Sequence, residues 1–502
     1  MGYEIILAIF LLAFFVLSIK RPNWAVMAII AGLPLYLVRF NFFGIPMTLL
    51  EAMILIAFFC WFVFQTRFLD FLRGKYSIKD FLKNSPWRKS GSAEGRRKYP
   101  FGIEIILLLI ISLVAVGVAH FSAASLGLWK AYFFEPALFY ILILNLFQSK
   151  NGINKIGLAL AAGALVVSLY AVFQKFTGFG IDNPLWAAAA TRRVVSFFGY
   201  PNAVGLYLGP IIPILVGFLF LPSKKECSPL EKKICYPLPQ EKISAIGISR
   251  AFLGFIALLS LVAIYFAKSD GALIGLAAAA FIFCLFANKK ARIAAIAIVL
   301  VASIGIYFYP PIEKPLVRKV TAEDLSGQIR RLQWRETFMM LNGQAKIWGI
   351  GLGNFQQAVA PYHQKGFFYD DGTDPNFHQH TIESAAVRAA TWQPVEIYLY
   401  PHDIFLNFWS ELGLAGLFLF LWIFGRFFFI SISNLKFQIS KFSDQREKYL
   451  VLGVMCAMIV IIIHGLVDVP YFKNDLSALF WILIALSALL AEKNLPAGAR
   501  KV

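Results

Sequence analysis

The residues best suited to chemistry in this 502-residue chain are few and lie beside apolar segments. His402 follows Pro401 and precedes an apolar run whose first turns contain Asn407 and Glu411. An imidazole with a pKa of about 6.5 accepts a proton from a hydroxyl at neutral pH, so this position suits a general base. Arg330 and Arg331 stand just before Trp334, and Arg193 stands before Ser196-Phe-Phe-Gly-Tyr-Pro-Asn202. Guanidinium is planar, permanently charged and matched to phosphate oxygens, which points these arginines to a pyrophosphate. His464 and Asp468 share one helix face inside an apolar segment, where ionisable groups are costly and turn toward a polar interior. Asp468 there would orient the histidine or stabilise its protonated form. Each group also has a plainer reading: a histidine bonded to a backbone carbonyl, arginines on water or lipid headgroups, and a His–Asp pair that caps a bundle.

Other motifs carry less. His378 and His380 have no further His or Cys nearby to complete a metal set, and Asp370-Asp-Gly-Thr-Asp374 lacks the spacing and final Glu of a calcium loop, so they read as a surface pair and a turn. Gly349, Gly351 and Gly353 form no dinucleotide fingerprint, because nothing around them reads as a strand–helix–strand unit. Cys227 and Cys235 share a loop on the expected cytoplasmic side, and their spacing fits no usual zinc site. No metal and no cofactor is expected.

The elements that must position these groups are membrane helices. The chain is 59% hydrophobic with 50 Phe, beyond the roughly 45–50% apolar share of soluble proteins. Segments of about 20 apolar residues cross a hydrocarbon layer. They read near 3–19, 22–39, 44–66, 101–120, 131–149, 155–173, 203–221, 251–267, 270–287, 292–309, 403–430, 449–467 and 475–491. The first lacks a basic leader and a cleavage site, so a retained span is expected rather than a signal peptide. The expected fold is an all-α polytopic membrane protein with about 12–13 transmembrane helices. Residues 1–310 would hold ten spans, 311–402 one large exterior loop, and 403–502 three spans and a tail.

Basic loops stay on the cytoplasmic side. The connectors 67–100 and 222–250 carry ten and six Lys and Arg, and 288–292 and 431–448 are basic too; alternating spans put all four on one face. The loop 311–401 falls on the opposite face yet carries nine basic residues, which calls for a local anionic partner. The net charge of +19 lies mostly in short loops beside spans, which favours lipid headgroups over nucleic acid. Within the loop, Leu325, Ile329, Leu332, Phe338 and Leu341 make a rough helical stripe, with Arg331 and Arg335 together off it. The three glycines then end that helix.

Four stretches together carry a family resemblance: Arg193–Leu208, the Arg330–Trp334 region, Trp348–Phe355 and Pro401–Gly416. On these the chain resembles the O-antigen ligase and polymerase family of bacterial membrane glycosyltransferases. The resemblance implies a GT-C-like helical fold in the bacterial inner (plasma) membrane, with the active site on the periplasmic face. It implies transfer of a glycan from an undecaprenyl diphosphate carrier to a hydroxyl of a glycolipid, growing glycan or protein, without metal or nucleotide sugar, and usually with inversion. His402 would be the base, supported by Asp468; Arg330 or Arg331, with Arg193, would stabilise the departing diphosphate. Two departures stand out. Asp270 replaces an arginine usual after Ser269, leaving Lys268 to serve, and Asp403 stands where Asn is commoner.

Two readings of other classes compete. A lipid-linked glycan transporter or flippase predicts paired broken helices in two related halves and no need for His402. A catalytically inactive scaffold is the other, suggested by Asp270.

Overall fold

In hydrocarbon every backbone amide needs an internal partner, and a helix supplies one for each residue. The computed structural model describes residues 2–42, 44–65, 99–220, 250–343, 345–440 and 447–492. The connectors at 67–100 and 222–250, apart from Tyr99, Pro100 and Arg250, lie outside the described residues, as do Cys227, Cys235 and the tail from 493 onward.

The chain begins with α1 (Gly2–Lys20) and α2 (Pro22–Ala31), then a 3₁₀ turn at Leu33–Leu37. An antiparallel hairpin follows, β1 (Arg39–Phe42) on β2 (Ile45–Thr48). The span expected at 22–39 is therefore short, since Pro34 has no amide hydrogen to continue the ladder. Next come α3 (Leu49–Cys60), α4 (Gly102–Val118), α5 (Ala123–Leu146), α6 (Lys150–Thr177) and α7 (Pro201–Leu219). They lead to α8 (Arg250–Ala267), α9 (Asp270–Ala287) and α10 (Lys289–Tyr307). The expected loop contains α11 (Pro310–Val320), α12 (Leu325–Leu341) and a short antiparallel ladder, β3 (Gly366–Phe368) on β4 (Trp392–Pro394). The chain then continues through α13 (Ile404–Ser440), α14 (Glu447–Gly465) and α15 (Asn474–Glu492).

Among the described residues ten helices are long and apolar enough to cross a membrane, and three shorter apolar ones lie at 22–31, 49–64 and 102–118. The protein is an all-α polytopic membrane protein. Its core is built on close approach of α7, α9 and α14. A Cβ on Gly453 would lie 2.5 Å from the Pro213 carbonyl, and one on Gly275 would lie 3.3 Å from the Val460 backbone. Small residues at such crossings let membrane helices touch along their backbones.

One end of the bundle gathers the turn before α7, the turn between α8 and α9, the 310–403 segment and the turn between α14 and α15. Arg193 Nε donates to the Ala267 carbonyl at 3.1 Å and Arg330 Nε to the Val467 carbonyl at 2.9 Å. At the opposite end Lys448 Nζ donates to the Ala287 carbonyl at 2.8 Å.

Candidate functional site

Helix α12 is capped by Asp324, whose side chain accepts the Gly327 amide at 3.1 Å. Its buried face consists of Gly327, Gln333, Glu336, Thr337, Met340 and Leu341, and Phe338 of the expected apolar stripe is exposed. The face is polar because its side chains have specific partners. Gln333 meets His402, while Glu336 accepts the Gln364 amide at 2.7 Å and lies 3.4 Å from His363 Nδ1. Arg330 turns inward to the Val467 carbonyl. Arg331 and Arg335 are exposed, with no hydrogen bond or ion pair to the described residues.

The glycine run has a structural task. Helix α13 breaks at Gly413, at φ +73° and ψ −174°. The interrupted ladder is completed from outside: the Ile350 amide donates to Ser410 O at 2.7 Å, and the Leu414 amide to Ile347 O at 3.0 Å. The Gly353 amide donates to the buried Glu411 carboxylate at 2.7 Å. Gly349 has φ +72°, and a Cβ there would lie 2.5 Å from Ser410 O, so only glycine brings the loop this close. The segment ends no helix directly, since α12 stops at Leu341; it splices the loop onto α13.

That splice fixes the start of α13, where the histidine sits. Asp403 caps the helix, accepting the Leu406 amide at 2.8 Å. Asp, like Asn, caps helices well, so the acid meets the local need for a cap. Burial pushes the Asp403 carboxyl up to about 6, against the opposing bonds from the Leu406 and Phe405 amides. His402 itself adopts φ +50°. Its ring meets Tyr398 edge-on at 5.0 Å and leans on Tyr400 at 4.9 Å, and its Nδ1 lies 3.0 Å from Gln333 Oε1. Burial holds the imidazole below its ordinary pKa; Asp468 and a backbone bond at Tyr400 oppose this, and the Arg330 charge adds to it.

Asp468 is buried in the turn between α14 and α15. The expected helical pairing with His464 is modified, because α14 stops at Gly465. The carboxylate accepts the Val469 amide at 2.8 Å and the Asn202 side-chain amide at 3.2 Å. Burial acts to raise its pKa, but the charges of His402 and His464, with the Val469 amide and Lys473, bring it below the usual value. Asn202 in turn accepts from Arg193 Nη2 at 3.4 Å. Arg193, Asn202 and Asp468 thus form a chain reaching toward His402. His464 packs on the start of α9, where a Cβ on Gly271 would lie 2.6 Å from its ring.

Lys268 is exposed at the rim and donates to the Thr191 carbonyl at 3.2 Å, while its own carbonyl accepts from Arg193 Nη2. Asp270 pairs with Lys319 of α11. On the other side of Asp468, Lys473 Nζ donates to the Tyr200 hydroxyl at 2.7 Å, and Tyr400 and Tyr200 hydroxyls lie 3.4 Å apart.

The structure therefore brings together His402, Asp468, Arg193 and Arg330, sets Lys268 at the edge and leaves Arg331 on the outer face. Sequence reasoning missed Gln333, Asn202 as a partner of Asp468, and the Lys473–Tyr200–Tyr400 chain. A lysine between Phe472 and Asn474 at the start of an apolar helix was the available signal for the last. Nothing in the local pattern distinguished Gln333. The minor motifs fall as read: His380 pairs with Asp374 at 2.6 Å on the surface, and Asp370 and Asp371 accept amides of their own turn.

No curated protein matches the chain. The family model described as O-Antigen ligase matches residues 255–421, a stretch running from α8 into α13 that contains Lys268, Arg330, Arg331 and His402. Such a domain in a multi-pass membrane protein supports glycan transfer at the membrane, with the bilayer and lipid-linked glycans as general partners. Over that third of its length the chain is similar to the O-antigen ligase/polymerase family.

Proposed function

We propose that the protein transfers a glycan from an undecaprenyl diphosphate carrier to an acceptor hydroxyl on the exterior face of a bacterial inner membrane. His402 takes the proton of the acceptor hydroxyl. The freed oxygen forms a bond to the anomeric carbon while the bond from that carbon to the diphosphate oxygen breaks, and its electron pair leaves with the diphosphate. Arg193 and Arg330 face the negative charge that develops there, with Lys268 at the rim, in a largely buried setting where fixed charges act strongly. Asp468 stabilises the imidazolium that forms on His402. Arg331, on the outer face, contributes less to this site than Arg330.

The observation that carries this reading is the meeting of a buried, pKa-lowered histidine with Asp468, Arg193 and Arg330 at one end of the bundle. An imidazole neutral at physiological pH is the form a base requires. The test is reconstitution of the full chain with undecaprenyl diphosphate glycan and candidate acceptors. Wild type should form a new glycosidic bond, and His402→Ala should lose activity by roughly 100-fold or more. Equal turnover by both sinks the base; glycan movement across the bilayer with no bond formed by either makes the protein a transporter.

A further inference from the structure

Gln333 is a buried side chain on α12 that contacts the His402 ring. Its Oε1 lies 3.0 Å from His402 Nδ1. With its amide oxygen toward the ring, Gln333 suits the tautomer that carries its hydrogen on Nδ1, which leaves the lone pair of a neutral imidazole on Nε2. The other end of the amide tells a second story. Gln333 Nε2 is buried with no hydrogen-bond partner among the described residues. A buried donor without an acceptor is costly, and it persists where a partner arrives from outside.

We infer that Gln333 is a positioning residue with two roles: Oε1 fixes the His402 tautomer that leaves Nε2 basic, and the Gln333 amide donates to an oxygen of the hydroxyl-bearing acceptor. The inference rests on His402 being the base. It assigns the proton acceptor to one atom and gives the acceptor a second contact on α12, the helix that also carries Arg330. The charged and titratable groups around His402 are Asp468 from the α14–α15 turn, Arg330 from α12, and Tyr398 and Tyr400 from its own segment. Gln333 adds no charge of its own, so replacing it by an isosteric acid changes one electrostatic contact and removes one donor.

The experiment uses full-length protein with Gln333→Glu and Gln333→Leu. Diethyl pyrocarbonate modification of the His402 peptide, followed by mass spectrometry across pH without donor, reads the His402 pKa independently of turnover. Steady-state kinetics then separate kcat from the acceptor KM. In Gln333→Glu the carboxylate still accepts from Nδ1, so the His402 midpoint moves to higher pH and kcat stays within about tenfold, while the acceptor KM rises about tenfold with the lost donor. In Gln333→Leu kcat falls by about tenfold or more. An unmoved His402 midpoint in Gln333→Glu overturns the contact, and an unchanged acceptor KM there overturns the donor role. A midpoint that moves with turnover untouched in both variants overturns the base assignment, and the inference with it. The isosteric Glu variant keeps the test standing where the Leu variant does not fold.

Discussion

Lys319 Nζ, carried by α11, lies 2.7 Å from Oδ2 of Asp270, the first residue of α9. The acid at the start of α9 thus holds a cation from the loop above it. Both side chains are about half exposed, at 47% and 53%, so water screens the pair. Exposed pairs of this kind contribute roughly 0–1 kcal/mol. Asp270→Asn is expected to change stability by less than about 1 kcal/mol, measured by thermal unfolding in detergent. A loss of several kcal/mol would mean that the tether organises the loop.

The pH dependence of turnover follows from the charges around His402. Burial lowers its pKa, Asp468 raises it and Arg330 lowers it. The base is active when neutral, so activity falls as pH drops through that pKa. Removing the anion in Asp468→Asn should move the acid limb to lower pH and reduce kcat. Removing the cation in Arg330→Gln should move the limb to higher pH. Profiles of kcat against pH for both variants check this, and shifts of the same sign would contradict the arrangement.

Two adjacent arginines should behave differently. Arg330 reaches the Val467 carbonyl beside the site, whereas Arg331 is exposed on the far side of α12. Arg330→Ala should lower kcat/KM for the lipid-linked donor by about tenfold to a hundredfold, a loss typical of a charged hydrogen bond of about 1.5–3 kcal/mol. Arg331→Ala should stay within about threefold, as surface substitutions usually do. Equal losses in a donor titration would refute the assignment.

Asp403 offers a stability test with a defined sign. Its carboxyl rises from 3.8 to about 6 on folding, chiefly through burial. Below the unfolded value both states are protonated and the group has no pH effect. As pH rises toward the folded value the charged form is penalised in the folded state, so stability falls, and it levels off above that value. Asparagine keeps an oxygen for the Leu406 amide and carries no charge. Asp403→Asn should therefore gain over wild type in melting temperature at pH 7.5 relative to pH 4; an equal difference at both would oppose it.

Much of the architecture was legible because hydrocarbon imposes a length and a composition on every span. The thirteen apolar segments all contain helices, and the apolar stripe from Leu325 to Leu341 falls on α12. Lengths failed where a single residue overrides the pattern, as Pro34 does after α2 and Gly413 does within α13. His402, Asp468, Arg193 and Arg330 stood out because ionisable groups beside spans are rare. Gln333 did not, because an uncharged amide on a helix face looks like any solvated residue until its partner, 69 positions away, is known. The glycine run was visible as an anomaly, but its hydrogen bonds to Ser410 and Leu414 belong to tertiary structure.

The pairing of β3 with β4 has a consequence for how this molecule varies. Gly366 lies opposite Pro394 and Phe368 opposite Trp392, so residues 369–391 leave the body and return at the same place. Such an outgrowth is a cassette held at its base and pinned once more at Asp370, whose carbonyl accepts from Arg318 of α11 and Gln328 of α12. Beyond Asp370 it can lengthen or shrink without altering the separation of the two strands that flank it, and hence without shifting His402 eight residues downstream of Pro394. Transplanting the part beyond Asp370 between relatives is the natural way to learn whether it selects a partner, because the His402 end of the chain need not be redesigned to receive it.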